Sequence, residues 1–422
     1  MAEGTPSHLG TRTRDRVASY VTWTPLSPVV STDASALRIG HGPLVLGARR
    51  DDMKALQPTT DGASSINRWR SRLALFNVLA LALTALVGLT AASAEAKKKA
   101  GLPPIHVRGT VYTFDDQTPI AGATVMVAEL PGVSAQTGPD GSYDLVVPDG
   151  TKFTPYADSA GHHRIYLQTY VSQGKDLERV NFQMPSDTAY NLLALILSAP
   201  RNANNELVNC AVVSTFSTTN VRDVSFNDFV AYGAHGVAGA TASASPALPN
   251  PVYFNESVIP DASRTGSSID GGVVWPVVPA GVYRFTAQHP STRFAPFRAI
   301  CEPGRVVNAN PPQGFYELRP GEKVDSSVAA SLASVHFDHS GSKVRLKVRV
   351  KAREYVAVSG VLRRGKKARA NRRTKGYAPG KRTLAFPIGQ SLAGKRIAVK
   401  LTMEDGLGNM KALTRKLKVP GR

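Results

Sequence analysis

Ile105–Gly150 reads IHVRGTVYTFDDQTPIAGATVMVAELPGVSAQTGPDGSYDLVVPDG and contains the clearest structural pattern of the chain. Apolar and polar residues alternate around Val107–Val111, Ala123–Val127 and Tyr143–Val147, and a period of two is typical of half-buried β-strands. Pro139–Gly141 is a tight turn ahead of the last of these strands, since glycine accepts the positive φ that other residues resist. The pattern therefore predicts short strands joined by turns.

This stretch resembles the carboxypeptidase-regulatory-like domain, a small transthyretin-like β-sandwich. The motifs that carry the resemblance are Gly109–Val111, Pro119–Val125, Asp140–Tyr143 and Val147–Gly150. The resemblance extends over residues 104–184 and implies a β-sandwich there. Because the family consists mostly of non-catalytic accessory or surface modules, it also implies a structural or binding role.

Residues 186–318 repeat this pattern and are predicted to form a divergent second β-sandwich. Val237–Thr241 is similar to Ile120–Thr124, and Asp270–Gly272 is similar to Asp140–Ser142. The order of these motifs along the chain is the same in both segments. We therefore expect the same strands and turns in both.

An inserted loop is predicted within residues 246–268, because the spacing from Gly239 to Asp270 is 31 residues where the first segment has 18. Loops this long are usually functional or disordered. Tyr253, Phe254 and Asn255 make it a candidate ligand loop, whose exposed rings would stack on a sugar or dock a peptide. The alternative is that the two rings pin the loop to the sandwich.

Two short helices interrupt the strand pattern. Ser186 or Asp187 caps the first, which ends before Pro200, and the second is predicted from Ser225. The predicted fold class is therefore mainly β, with tandem β-sandwich modules and one or two short helices between them.

The N-terminal part of the chain is predicted to direct export from the cell. Residues 1–69 show no periodicity and are expected to be disordered or an upstream extension, with translation starting at Met1 or near Met53. Residues 70–96 combine basic residues, an apolar run and A-x-A cleavage patterns, which together are typical of a signal peptide. The alternative is an uncleaved membrane helix over residues 73–92, which would be the protein's only membrane contact. A secreted or cell-surface location follows from either reading.

Cys210 and Cys301 are the two cysteines of the chain. An exported protein with two cysteines favours a disulfide, which chain-entropy arguments value at about 4–5 kcal/mol at best. Buried free thiols are the alternative. No C-x-x-C pair is present, so the cysteines do not predict a zinc site.

The positive charge of the protein belongs to its C-terminal part. Residues 341–422 hold 24 of the 51 Lys and Arg residues but only three of the 31 acidic ones. The net charge of this segment is therefore +21, whereas that of the whole chain is +20, so the rest of the chain is close to neutral. Residues 325–422 resemble the Ig-like or fibronectin-III-like modules at the C-termini of bacterial surface proteins, through the turn Glu404–Asn409 between alternating strands. The last module is therefore predicted to be a basic Ig-like β-sandwich.

Cations alternate with apolar residues in Lys343–Lys351, and they crowd the link 363–382, which we expect to be a mobile basic loop. The candidate polyanion-binding residues are Lys343, Arg345, Lys347, Arg349, Arg363, Arg364, Lys366, Lys367, Arg372 and Arg373. The expected partner is an anionic cell-wall polymer or another extracellular polymer. No specific nucleic acid is expected, because the link holds one aromatic residue, Tyr377. The alternative is a solvated face without a partner.

Catalytic motifs do not stand out. The chain has no G-x-S-x-G, no H-E-x-x-H and no phosphate-binding loop, so we expect a non-enzyme without a cofactor or a metal site. Two functions remain: a structural or adhesive surface protein with a basic wall-associating module, and a carbohydrate- or peptide-binding accessory protein that uses the 246–268 loop.

Overall fold

The computed structural model describes residues 103–421, so the predicted extension (1–69) and signal peptide (70–96) lie outside the described residues. Within the described part, the chain forms 24 strands and two α-helices, which confirms the predicted mainly-β fold class. No helix of residues 103–421 has both the length and the apolar character that crossing a bilayer requires.

Nine strands form the first segment: β1 (Ile105–Thr113), β2 (Thr124–Val127), β3 (Ser134–Gln136), β4 (Ser142–Val147), β5 (Lys152–Phe153), β6 (Pro155–Ser159), β7 (His162–Tyr166), β8 (Tyr170–Val171) and β9 (Phe182–Met184). β1 pairs antiparallel with β4 and parallel with β9, β2 pairs with β3 and β6, β6 also pairs with β7, and β5 pairs with β8. Tyr143, Leu145 and Val147 of β4 are buried while the residues between them are exposed, because alternate side chains of a strand face opposite sides.

The second segment contains both helices: α1 (Asp187–Ile196), β10 (Cys210–Ser217), α2 (Phe226–Tyr232), β11 (Thr241–Ser245), β12 (Val252–Phe254), β13 (Pro260–Asp261), β14 (Gly272–Val278), β15 (Gly281–Gln288), β16 (Phe297–Cys301), β17 (Val306–Ala309) and β18 (Phe315–Tyr316). β10 pairs antiparallel with β14 and parallel with β17, as β1 does with β4 and β9. β11, β15 and β16 pair in the order of β2, β6 and β7. The two segments therefore share one set of strand pairings.

The turns of the two segments also share hydrogen bonds. The Thr137 hydroxyl accepts a bond from the backbone N–H of Ala123 at 2.8 Å, and the Ser267 hydroxyl accepts one from Ala240 at 2.9 Å. The Thr137 hydroxyl also donates to the backbone carbonyl of Ile120, and the Ser267 hydroxyl donates to that of Val237. The similar sequence motifs thus fall on turns with the same bonding.

One ten-stranded sheet runs through both segments, in the order β13-β12-β14-β10-β17-β7-β6-β2-β3, with β18 beside β10. The segments meet where β7 pairs parallel with β17 at Tyr166 and Val307. Tyr190 and Ala194 of α1 belong to the first segment's hydrophobic core. Strand pairing therefore crosses the predicted boundary between 104–184 and 186–318, and the module boundaries stay predictions.

The helices begin where serine caps them, as the sequence predicts. The Ser186 hydroxyl accepts a bond from the N–H of Ala189 at 3.1 Å, and the Ser225 hydroxyl accepts one from Asp228 at 3.2 Å. These side chains satisfy N–H groups that have no partner within the first turn of a helix. α1 follows the first segment directly, whereas α2 lies inside the second.

Six strands form the C-terminal sandwich: β19 (Ala330–Ser340), β20 (Lys343–Arg364), β21 (Lys367–Arg373), β22 (Ala378–Ile388), β23 (Arg396–Glu404) and β24 (Met410–Lys418). β20 is 22 residues long, and its register shifts between Ala352 and Val356. Its first half pairs with β19 and β22, and its second half pairs with β21 and β23. One strand thus contributes to both layers around the core.

Candidate functional site

A row of cations follows the first half of β20. Its apolar residues point into the core, where Leu346, Val348 and Val350 are buried. The residues between them point outward, and we name them the cation row: Lys343, Arg345, Lys347, Arg349 and Lys351. Because a strand rises about 3.3 Å per residue, neighbouring members are about 6.6 Å apart along the strand and the row spans about 26 Å.

One acidic residue faces this row. Asp338 of β19 lies opposite Arg345, but its carboxylate binds the Lys347 ammonium diagonally at 2.7 Å. The hydrogen bond from Lys347 holds the pKa of Asp338 below its usual range. Within residues 103–421, the other four members of the row form no ion pair, so their charge faces solvent uncompensated.

The basic link 363–382 is a β-hairpin and not the mobile loop that its composition suggested. β20 continues to Arg364, Gly365 takes a φ of +59° in the turn, and Arg364 pairs with Lys367 of β21. The expectation was wrong because an edge strand needs backbone pairing but little burial, so a highly charged segment can form one. The hairpin cations Arg363, Arg364, Lys366, Lys367, Arg372 and Arg373 are exposed.

The cation row lies on β20 before its register shift, whereas the hairpin cations lie on the end of β20, on the turn after it and on β21. The ten predicted polyanion-binding residues are therefore exposed or half-buried on one module but form two groups. Both groups present cations that can bind an anionic polymer electrostatically.

The candidate ligand loop does not expose its rings. Tyr253 and Phe254 lie in β12, with 5% and 6% of their surfaces exposed. β12 pairs with β14, and the Tyr253 hydroxyl accepts a bond from the N–H of Ala242 at 3.2 Å. The Asn255 side chain accepts bonds from two backbone N–H groups of its own turn. The expectation of exposed stacking rings is therefore wrong, and the packing matches the alternative of a pinned loop.

Cys210 and Cys301 form a disulfide, with their Cα atoms 5.4 Å apart. Both residues are buried, and they join the first residue of β10 to the last residue of β16. The bond closes a segment of 91 residues in the second sandwich.

Three carboxylates that are distant in sequence meet at the base of the C-terminal sandwich. Oxygen atoms of Asp325, Glu354 and Asp405 lie within 4.8 Å of one another. Burial, and after it the neighbouring carboxylates, raises the pKa of both Glu354 and Asp405. Oxygen ligands suit a hard cation such as Ca²⁺. However, Asp405 already accepts backbone N–H bonds at 3.0 and 2.9 Å from its own turn, so its placement needs no ligand. Sequence patterns could not reveal this cluster, because separate strands and loops bring its members together.

A shallow cleft of about 220 Å³ lies beside the end of β15, between Gln288, Phe294 and Val324. Pockets that enclose small-molecule ligands are usually larger, about 300–1,000 Å³. The cleft therefore does not indicate a substrate site.

No family model and no curated protein matches this chain. Among solved structures, the chain is similar to a DUF3823 family protein from Bacteroides ovatus, at 11% identity over 50% of this chain and 100% of that one, with a TM-score of 0.18. It is similar to the major pilin subunit of Bacillus cereus at 8% identity, over 50% of this chain and 69% of that one, with a TM-score of 0.15. A tetra-tandem repeat from the extending region of a large adhesion protein matches at 12% identity, over 75% and 74% of the two chains, with a TM-score of 0.19. These similarities are too slight to carry an argument, so the carboxypeptidase-regulatory-like resemblance stays a prediction.

Proposed function

We propose that this protein is an exported, non-catalytic surface or adhesion protein built from β-sandwich modules, and that its basic C-terminal module associates with anionic polymers of the cell envelope. The observation that supports the proposal is the exposure of cations on two parts of one small module. Among the described residues, a single ion pair, Lys347 with Asp338, offsets the charge of the cation row. A field of this kind attracts polyanions and weakens as salt rises.

Polar contacts join the C-terminal sandwich to the segments before it. Arg298 of β16 is buried and pairs with Glu404 of β23 at 2.5 Å. The Tyr355 hydroxyl donates to Asp149 at 2.8 Å, and the N–H of Tyr377 donates to the carbonyl of Gly150 at 2.7 Å. The basic module is therefore held against both preceding segments.

The proposal is tested by pelleting the purified protein with isolated bacterial cell walls across a salt series. The wild type is expected to pellet at low salt and to be released as salt rises. Replacing Arg349, Lys366 and Lys367 with Gln removes three exposed cations of the basic module. This triple variant is expected to bind on the order of tenfold more weakly at low salt.

The matched control replaces Lys175, Arg293 and Lys323 with Gln, which removes the same charge from exposed positions outside the module. It is expected to pellet nearly as the wild type does. Equal losses in the two triple variants, or no pelleting of the wild type, would contradict the proposal. The alternative function, carbohydrate or peptide binding by the 246–268 loop, lacks support because the Tyr253 and Phe254 rings are buried.

A further inference from the structure

We infer that the cation row of β20 binds an extended polyol-phosphate polymer lengthwise, with one phosphodiester for each outward residue. The inference rests on the proposed function and specifies its partner and its site. It concerns Lys343–Lys351 and not the hairpin cations.

The spacing of the row supports a phosphodiester polymer. About six covalent bonds separate one outward Cα atom from the next along a strand, namely two residues of three backbone bonds each. About six bonds also separate successive phosphorus atoms in a poly(glycerol phosphate) chain, through two ester oxygens and three carbons. Two extended chains with equal numbers of bonds per charge can stay in register over the whole row. Inorganic polyphosphate has a phosphorus atom every two bonds, so only one phosphate in three would face a cation of the row.

The residues beside the row favour a polymer without bases. The strand positions that flank Arg349 are occupied by Ser334 of β19 and Thr383 of β22. Farther along, Pro387 and Ala385 of β22 flank the row, His336 of β19 lies opposite Lys347, and Lys381 of β22 lies opposite Lys351. Binding of single-stranded nucleic acid relies on several aromatic side chains on which successive bases stack. His336 is the one aromatic residue among the positions paired with the row, so stacking of successive bases is not supported. A phosphate chain with a polyol linker has no bases and needs no such platform.

Asp338 makes the central position of the row different from the others. Its carboxylate forms an ion pair with the Lys347 ammonium at 2.7 Å. This pair takes the place of the phosphate contact that Lys347 would otherwise make with the polymer. The polymer therefore meets four free cations and one that is already paired. Removing the carboxylate is expected to add one phosphate contact, an effect that a misfolded variant cannot mimic.

The test measures binding of the purified full chain to fluorescent poly(glycerol phosphate) by anisotropy across a salt series. Each cation that contacts a single-stranded polyanion contributes about 0.7 to the slope of log affinity against log salt. Arg349→Gln/Lys351→Gln is therefore expected to lower the slope by about 1.4 and to weaken binding about 25-fold at 0.1 M salt. Asp338→Asn is expected to raise the slope by about 0.7 and to tighten binding about fivefold.

The control variant Lys400→Gln/Lys416→Gln removes two exposed cations from the other sheet of the same sandwich. It is expected to change binding less than the row variant does. Equal weakening in both double variants, or no tightening in Asp338→Asn, would overturn the inference. Binding of inorganic polyphosphate, or of single-stranded oligothymidylate, as tightly as poly(glycerol phosphate) would overturn the assigned polymer.

The two proposals can fail separately. Suppose that pelleting with walls depends on the module but does not differ between the row variant and its control. This result would refute the cation row as the binding site and would leave the proposed function standing. Suppose instead that poly(glycerol phosphate) binds with the expected salt slopes in the row variants, but that the protein does not pellet with walls. This result would refute the proposed function and would leave the cation row as a polymer-binding site.

Discussion

Asp140 and Asp270 occupy the same position in the turns of the two similar segments, yet their carboxyl groups have opposite pKa shifts. Hydrogen bonds from Ser142 hold the pKa of Asp140 below its usual range at the protein surface. Burial raises the pKa of Asp270 to about 6, although its carboxylate accepts the N–H of Gly272 at 3.0 Å. A similar hydrogen bond in the two turns thus does not set the protonation state of the carboxyl group, because Asp140 is exposed to solvent and Asp270 is partly buried.

Asp270→Asn is expected to remove a pH dependence of stability. The folded protein binds the Asp270 proton more tightly than the unfolded chain does, so this contribution to stability is full below about pH 4 and is lost as pH rises through about 6. The loss amounts to about 3 kcal/mol at most. Asparagine keeps the acceptor for Gly272 and carries no charge.

Urea unfolding at pH 4 and pH 7 measures this effect. The stability of Asp270→Asn relative to the wild type should be higher at pH 7 than at pH 4. Asp140→Asn provides the matched control, and its relative stability should change in the opposite direction. A wild-type-like pH profile in Asp270→Asn would refute the assignment.

At the scale of elements, β1 depends on a glycine where it changes partners. Its first residues pair with β4, and its last three pair with β9. A Cβ atom at Gly109 would lie 2.1 Å from the backbone carbonyl oxygen of Val180, which cannot move away as a flexible side chain could. The close approach of the two backbones therefore requires glycine.

Gly109→Ala is expected to destabilise the protein by about 3 kcal/mol or more, because overpacking against backbone cannot be relieved by a change of rotamer. Gly132→Ala is the control, since its Cβ would meet no atom within 4 Å. Thermal unfolding should show a large drop for the first variant and little change for the second. Equal melting temperatures for both would show that β1 and the segment around Val180 can separate without cost.

Strands with one buried face could be predicted from the sequence, whereas strands that lie at an edge or are very short could not. In β4 and in the first half of β20, apolar residues alternate with polar ones because only one face meets the core. β21 lacks that alternation, since nearly all its residues are exposed, and its cations suggested a loop. β12 has three residues, too few to show a period.

The candidate site could be predicted in part, for the same reason. The alternation in Lys343–Lys351 predicts a row of outward cations, which the structure contains. The pairing of Asp338 with Lys347 and the meeting of Asp325, Glu354 and Asp405 depend on which strands become neighbours. Strand order is set by the packing of the whole sandwich, and no local pattern encodes it.

At the scale of the whole molecule, the disulfide is expected to be a major source of stability for the second sandwich. Cys210→Ala/Cys301→Ala removes the cross-link and should lower the free energy of unfolding by up to about 4–5 kcal/mol, because the unfolded chain gains the freedom of a 91-residue loop. Urea denaturation of the double variant and the wild type measures the difference.

Reductant added to the folded wild type is the control for this prediction. Both cysteines are almost fully inaccessible, so dithiothreitol without denaturant should leave the melting temperature unchanged over short incubations. A rapid drop to the value of the double variant would show that the second sandwich opens readily.

The same covalent bond has a mechanical consequence for a chain pulled from its two ends. Tension enters the second sandwich at β10, and the bond from Cys210 to Cys301 carries the load directly to the end of β16. The intervening segment, across a sequence separation of 91, is bypassed. At about 3.5 Å per extended residue, roughly 300 Å of contour length stays locked inside this loop. The first and the C-terminal sandwiches contain no cysteine, so force can extend them fully. Most of the second sandwich lies inside the disulfide loop and cannot be extended while the bond is intact.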